Sequence, residues 1–346
     1  METLWFMIVA FMLVGYVILD GFDIGAGIIH YIVGRNSDER NTIISAIGPV
    51  WDGNEVWLLA TGGTLYFAFP ALYAASFSGF YLPLMCVLWL LIFRALGIEL
   101  RHQLDNPMWH SIWDFSFTVS SALLAIFFGA ALGNVIRGVP LNEEGFFFLP
   151  FFTDFTVSSN PGILDWFTVI AGLVAYTALT VHGATYLAVK TEGVLQMRAR
   201  KTVFWVWFLL VGLTVISLIS VVIVRPEILD NYKNYPIGWL IPLLVIASLI
   251  GIKIFSMKGA DVKAFISSGL YLAGMLGGAV FGLYPNVLPA INPQNSLTIY
   301  NASAPAYGLG VGIIWWSIGI LLALGYFFYL YRTFRGKVKF DAYGEH

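Results

Sequence analysis

The chain has 346 residues, 59% of them hydrophobic and only 11% charged, against roughly 25% charged in a soluble domain. Its net charge of −2 gives no footing for a nucleic-acid partner. With 28 Phe, 17 Tyr and 12 Trp the apolar fraction is not low complexity, and the class is an all-α polytopic membrane protein.

A membrane span needs about 20 mainly apolar residues, and nine segments qualify as transmembrane helices. The first runs over 4–33. It is preceded by Glu2 and no basic cluster, so it reads as a retained helix and not a cleaved signal peptide. The second covers 43–69. The third, 71–99, holds Cys86, the only cysteine, which excludes an internal disulfide, a thiolate metal cluster and CxxCH haem attachment. The fourth is 109–136. A connection over 137–161 follows, with Glu143, Glu144 and a run of Phe. The fifth to eighth are 162–189, 202–224, 237–256 and 262–284. A connection rich in Pro and Asn, 285–304, leads to the ninth, 305–331. Trp5, Trp109 and Trp239 lie near span ends and read as an interface belt. The "NAS" at Asn301 matches a glycosylation acceptor but reads as coincidence.

Orientation follows from the basic residues. All of the 18 Lys and Arg but Arg137, Arg225 and Lys233 fall on one side of these spans. By the positive-inside rule that side is cytoplasmic, with the N-terminus outside and the C-terminus inside. A missed or extra helix would have scrambled this sorting.

Two stretches carry acids inside apolar helices. "LDGFDIGAG" holds Asp20 and Asp23, and "GPVWDGNEVWL" holds Asp52 and Glu55. At 1.5 Å per residue Asp23 lies roughly 15 Å from the inner end of its helix, and Asp52 and Glu55 roughly 14–18 Å in. The first two helices have a short connection and are expected to be antiparallel neighbours. All four carboxylates would then meet at similar depth, each pair on one helix face. An acid at a helix centre costs about 2.5–3.5 kcal/mol, so the layer is expected to face protein or a wet cavity. Gly21, Gly25, Gly27 and Gly53 would let backbones approach there. Two readings stand side by side: a structural polar knot, with the acids hydrogen-bonded to Trp, Asn54 and backbone, or a cytoplasmic inlet for protons.

Other residues say less. Arg94, Glu99, Arg101, His102 and Asp114 gather at the inner end of the third and fourth helices as interfacial anchors, with Arg94 and Glu99 able to pair across about one turn. His182 is the deep histidine, read as hydrogen-bonded structure ahead of a ligand. His30 is near the inner rim; His102, His110 and His346 are in loops or the tail. This distribution disfavours haem ligation by the chain itself, and no metal site is expected.

Five motifs in order, "LDGFDIGAG", "GPVWDGNEVWL", "YAASFSGFY", "HGATYLAVKTEG" and "NSLTIYNASA", resemble subunit II of the cytochrome bd quinol oxidases, including the cyanide-insensitive branch. The resemblance covers the whole chain. One departure is "FRALG" in the third helix, where a proline often follows the arginine. The resemblance implies two four-helix bundles, here 1–137 and 161–288. An external connection, 138–160, would join them, and 289–346 would form a peripheral ninth helix with a cytoplasmic tail.

The resemblance also implies a bacterial inner-membrane heterodimer with a haem-bearing subunit I, which holds haems b and d and oxidises quinol while dioxygen is reduced to water. It leaves room for a small accessory subunit among lipid and quinone. Subunit II would supply part of the proton route, a candidate oxygen route and a surface against the haem region. On the matching motifs, Asp23 and Asp52 become proton-route residues, while Trp51 and Trp57 become haem-facing or oxygen-route candidates. Asp20 and Glu55 join the route by depth alone. Arg94, Glu99 and His182 are expected at the interface or as anchors. Two other functions compete: a proton-coupled secondary transporter built from parallel repeats, and a purely structural subunit. Acids deep in the first half and not comparably in the second favour an inlet over a symmetric carrier.

Overall fold

The computed structural model describes residues 1–338; Lys339 and His346 lie outside them. Thirteen helices and one small hairpin follow one another. Helix α1 (Glu2–Ile28) ends in a turn at Ile29 and continues as the short α2 (His30–Val33). Then come α3 (Ser37–Ile47), α4 (Trp51–Ala68), α5 (Pro70–Gly79), α6 (Tyr81–Glu99) and α7 (Pro107–Arg137). The second half holds α8 (Trp166–Lys190), α9 (Gly193–Val224), the short α10 (Asp230–Asn234), α11 (Leu240–Met257) and α12 (Asp261–Leu283). Strands β1 (Asn286–Leu288) and β2 (Leu297–Thr298) pair antiparallel before α13 (Ala306–Thr333).

Eight of the described helices are long and apolar enough to cross a bilayer. The expected second span is the exception. It is two helices, α3 and α4, separated at residues 48–50. Pro49 supplies no backbone N–H there and clashes with a continuing helix. In addition α4 has only 18 residues and carries Asp52, Asn54 and Glu55, so its apolarity falls short. The expected third span is likewise two pieces, α5 and α6, meeting at Phe80. In the other direction α9 begins nine residues before its expected start, at Gly193. That extra length is the polar stretch Gln196–Lys201, consistent with a helix reaching into water.

Local signals set several ends. Asn36 caps α3 by accepting from the Glu39 N–H at 2.8 Å. Asn106 caps α7 ahead of Pro107, accepting from Met108 N at 2.8 Å. Asp165 and Thr168 form a reciprocal capping box at the start of α8, which satisfies two otherwise orphaned donors.

The bundle is organised around α1 and α8. Helix α1 packs against α4, α7, α8 and α12, and α8 against α7, α9 and α12 as well. The two cross at Gly25 and Gly183. A Cβ at Gly25 would come 2.0 Å from the Leu179 carbonyl and 2.7 Å from Gly183 N. Nothing larger than hydrogen fits between these backbones, the close approach that small residues permit in membrane helices. Gly27 is as tightly placed against Ser121 of α7, whereas a Cβ at Gly53 would make only ordinary contacts near 3.6 Å with α13. Phe22, Ile24, Phe117, Leu179 and Leu272 pack around the crossing. A second apolar cluster, with Trp5, Phe69, Leu72, Phe147 and Ile299, closes the opposite end beneath the two long connections. Helix α13 lies on the outside; Leu309 is its one buried residue.

The crossing generates a test. Gly25→Ala is expected to destabilise the protein by about 3 kcal/mol or more, beyond the usual range for overpacking because the clash is with backbone. Gly63→Ala, at a helical glycine with open space around it, should change stability by less than about 0.5 kcal/mol. Thermal unfolding of the two variants in one detergent checks the contrast.

Candidate functional site

Helix α1 is locked against α8 on one side and packs on α4 on the other, which brings its acids to α4 and α6. Arg94 of α6 has no exposed surface. Its Nη1 donates to Asp20 Oδ1 at 2.7 Å and its Nη2 to Glu55 Oε2 at 2.9 Å. One guanidinium therefore ties α1, α4 and α6 together. The expected partner Glu99 does not pair with it; Glu99 is exposed at the end of α6. A carboxylate 74 residues away in sequence wins because both it and Arg94 are buried, and each removes the other's cost.

Asp23 is fully buried and accepts from Asn54 Nδ2 at 2.7 Å. Asn54 Oδ1 in turn accepts from the Tyr331 hydroxyl at 2.7 Å. Tyr331 lies two residues before the end of α13. A chain of polar groups thus runs from the edge of α13 to Asp23. Asn54 is a partner that the polar-knot reading expects for the acids; Tyr331 is not. Asn54 had a signal, an amide amid the acids of an apolar helix; Tyr331, more than 270 residues away, had none.

The four acids do not share one environment. Asp20 and Asp23 are fully buried, the Glu55 side chain is 23% exposed, and Asp52 is exposed on the surface of the chain. The layer is graded: two acids inside, one at the wall, one outside. The reason is the helix break at 48–50, which puts Asp52 in the first turn of α4. The positive end of the helix dipole favours an anion there. Asp23 Oδ1, Arg94 Nε and Trp57 Nε1 are buried without a partner in this chain, so the interior of the layer retains polar capacity for water.

Trp51 and Trp57, the haem-facing or oxygen-route candidates, are both buried within the chain, at 9% and 5% exposed. Trp57 packs against Gly15 of α1 and lies 5.6 Å from the Phe327 ring of α13. The Trp57 ring thus fills the space between α1 and α13.

His182 sits in the second half at the opposite face of α1. Its Nε2 donates to the Ile18 carbonyl at 2.9 Å, and its Nδ1 is 2.7 Å from Ser268 Oγ. Phe265 stacks on it at 4.9 Å. With both nitrogens engaged, no lone pair is left for an axial bond, so this histidine does not fit a haem ligand.

A second charged cluster lies just beyond the C-terminal end of α1. Asp114 of α7 accepts from His30 at 2.7 Å, Arg101 at 2.6 Å and Arg40 at 2.7 Å. Arg101 also bonds Asn41. His30, Arg101 and Asp114 are fully buried. They join α2, α3 and α7 with the segment after α6, so Arg101 and Asp114 are a clamp between elements and not solvent-facing anchors.

The architecture defines the class first: a polytopic helical membrane protein with a buried acid–arginine layer opening to its surface at Glu55 and Asp52. A family model described as cytochrome bd terminal oxidase subunit II matches residues 1–334. The chain belongs to the cytochrome bd terminal oxidase subunit II family. It is similar to the cytochrome bd-I ubiquinol oxidase subunit 2 of Escherichia coli, 34% identical over 90% of this chain and 88% of that one. It is also similar to the probable cytochrome oxidase subunit 2 of Haemophilus influenzae, 31% identical over 98% and 95%. In fold it resembles a chain of the bd oxidase from Geobacillus thermodenitrificans, with a TM-score of 0.75 at 18% identity, covering 96% of this chain and 98% of that one.

Removing Arg94 tests whether the layer is held by charge. Arg94→Gln leaves Asp20 buried without its partner, an expected cost of about 3–5 kcal/mol. The triple variant Arg94→Gln, Asp20→Asn, Glu55→Gln removes every ionic group of the cluster and should recover most of that loss. Thermal unfolding in detergent reads both. A triple variant as unstable as the single one would assign the effect to packing.

Proposed function

We propose that this chain is the second subunit of a membrane-bound quinol:dioxygen oxidoreductase, and that it supplies a proton route from the cytoplasm to the partner. The family match over the whole chain supports the first part. The observation that carries the second is the graded acid layer: exposed Asp52, partly exposed Glu55, and buried Asp20 and Asp23 on the neighbouring helices α1 and α4.

In this reading the partner is the haem-bearing subunit I, which holds haems b and d and the quinol site; quinone, lipid or a small accessory subunit would complete the complex. Nine segments cross the inner membrane, α3 with α4 forming the second. They fall into two four-helix bundles, 1–137 and 161–288, with α13 peripheral, joined by the external connection 138–160. The N-terminus is outside and the C-terminus cytoplasmic.

The chemistry asked of this chain is modest. Carboxyl groups bind and release protons in place; Arg94 holds Asp20 and Glu55 in fixed geometry; Asn54 and Tyr331 orient Asp23. Asp52 supports the partner assignment independently. An ionised group deep along a span is too costly against lipid, so its face on α4 needs a protein or aqueous covering. Trp51 and Trp57 keep the layer closed on the other side. The secondary-transporter reading is weaker. The place in the second half that corresponds to the acids holds the neutral His182–Ser268–Thr185 group, which gives a symmetric carrier no second acidic site. A purely structural subunit predicts that the acids can be replaced without loss of turnover.

Two experiments follow. In Asp23→Asn, and in Asp52→Asn, quinol-dependent oxygen uptake should fall by roughly tenfold or more in kcat with KM little changed. Haem content of the same preparation should stay normal, because an amide keeps the shape and loses the proton. Normal haem with normal turnover would remove the proton route; lost haem would favour the structural reading. For topology, a reporter fused after Lys339 should behave as cytoplasmic and one placed within 285–304 as external. Both on one side would overturn the span count.

A further inference from the structure

A second polar feature lies on the outside of the second half, at the end of the bundle where basic residues gather. Helices α9 and α11 are joined by Trp207, whose Nε1 donates to the Leu249 carbonyl at 2.8 Å. Nearer the start of α9 and the end of α11 they part around an open cleft of about 210 Å³. Arg200, Lys201, Phe204, Lys253, Ser256 and Met257 line it.

Lys253 lies one turn inside the end of α11. Its ammonium is 3.6 Å from the ring centre of Phe204, 4.1 Å from Phe208 and 4.9 Å from Trp207. The nitrogen is buried and, among the described residues, has no hydrogen-bond partner. Aromatic faces stabilise a cation electrostatically, but they provide neither a counter-charge nor a lone pair for its N–H groups. Arg200 is different. Asp261 matches it through two bonds, at 2.8 and 2.6 Å. Among the described residues neither Lys201 nor Lys253 forms an ion pair. The cleft therefore has two uncompensated positive charges and a serine hydroxyl, and its one carboxylate neighbour is committed elsewhere.

We propose that this cleft binds the phosphate of an anionic phospholipid, with Lys253 and Lys201 as its cationic ligands. The cleft opens onto exposed apolar surface of the same two helices, at Phe208, Ile254 and Met257. Acyl chains have a place to lie there, and a free phosphate gains nothing from it. A zwitterionic headgroup would bring an ammonium beside two lysines that already lack counter-charge, so the site selects net negative lipid. Basic pockets between membrane helices recognise headgroups by this chemistry.

The test uses the full chain purified in mild detergent with the subunits it carries, stripped of lipid, and titrated with phosphatidylglycerol or with phosphatidylcholine. Native mass spectrometry counts the lipid retained. The unaltered protein should prefer phosphatidylglycerol, by about fivefold for each lysine engaged. Lys201→Gln, at an exposed position, should lose about fivefold of that preference without touching the core. Lys201→Gln with Lys253→Gln should abolish it, and Lys253→Arg should keep it. Millimolar inorganic phosphate should leave the bound lipid in place. Equal retention of the two lipids by the unaltered protein, or a preference unchanged in Lys201→Gln, would overturn the proposal. Displacement of the lipid by phosphate alone would reassign the cleft to a free anion and overturn it too.

Discussion

A guanidinium with no exposed surface, held between two carboxylates from different helices, is the constraint on which this protein's first half depends. Arg94 could not stay charged in an apolar bundle alone, and Asp20 could not either. Each is tolerated because the other is within 2.7 Å. The bond links α6 to α1, and the second bond to Glu55 fixes α4 against both. The three helices cannot slide without separating buried charges. The layer nonetheless holds three carboxylates, Asp20, Asp23 and Glu55, against one fixed cation. That inequality is what the proposed proton route would draw on.

The cluster forms only because α1 is placed to within a fraction of an ångström. Gly25 and Gly183 let the α1 and α8 backbones touch, and this sets the rotation of α1. One face then shows Ile18 and Gly21 to α8 and α12, where His182 meets the Ile18 carbonyl at 2.9 Å. The other shows Asp20 and Asp23 to α6 and α4. The two sides of one helix do opposite work. Toward the second half the contacts are neutral and fully hydrogen-bonded, which is cheap in a membrane interior. Toward the first half they are ionic and incompletely satisfied, which is expensive and therefore calls for a functional account. The glycine crossing is what allows both to occur on a single helix.

Much of this was legible in the sequence because bilayer thickness imposes a length on every span. The hydropathy runs located α1, α7, α8, α11, α12 and α13 to within about four residues, and the acids of α1 and α4 stood out against them. What failed did so for identifiable reasons. The break between α3 and α4 was signalled by Gly48–Pro49, but hydropathy averages over such a dipeptide. Glu99 is the one partner that spacing offers Arg94, because spacing reveals neighbours on one helix and says nothing of partners across a bundle. Asp52 and Glu55 lie three apart on α4 as the spacing implies, but their exposures differ because Arg94 holds the Glu55 carboxylate at the wall while Asp52 is exposed at the first turn. Tyr331 could not be found at all, since one tyrosine near the end of an apolar helix differs in no local way from its neighbours.

The surface of the chain points the same way as its interior. An ordinary membrane protein turns apolar residues to lipid and keeps its acids inside. Along α4 this rule is broken at Asp52 and half broken at Glu55, while Val56 and Leu59 beside them are exposed and apolar. Helix α13, which closes the far side of α4 through Phe327 and Tyr331, is exposed nearly along its whole length. A lipid-facing surface needs no carboxylate, and a water-filled channel needs no row of exposed Val and Leu. A second protein satisfies both, by covering the apolar residues and donating hydrogen bonds to the acids. In the proposed complex the outermost acid of the layer is then also the contact with the partner. The route ends where the subunit ends, and the incomplete surface is the physical counterpart of a reaction whose other half lies in another chain.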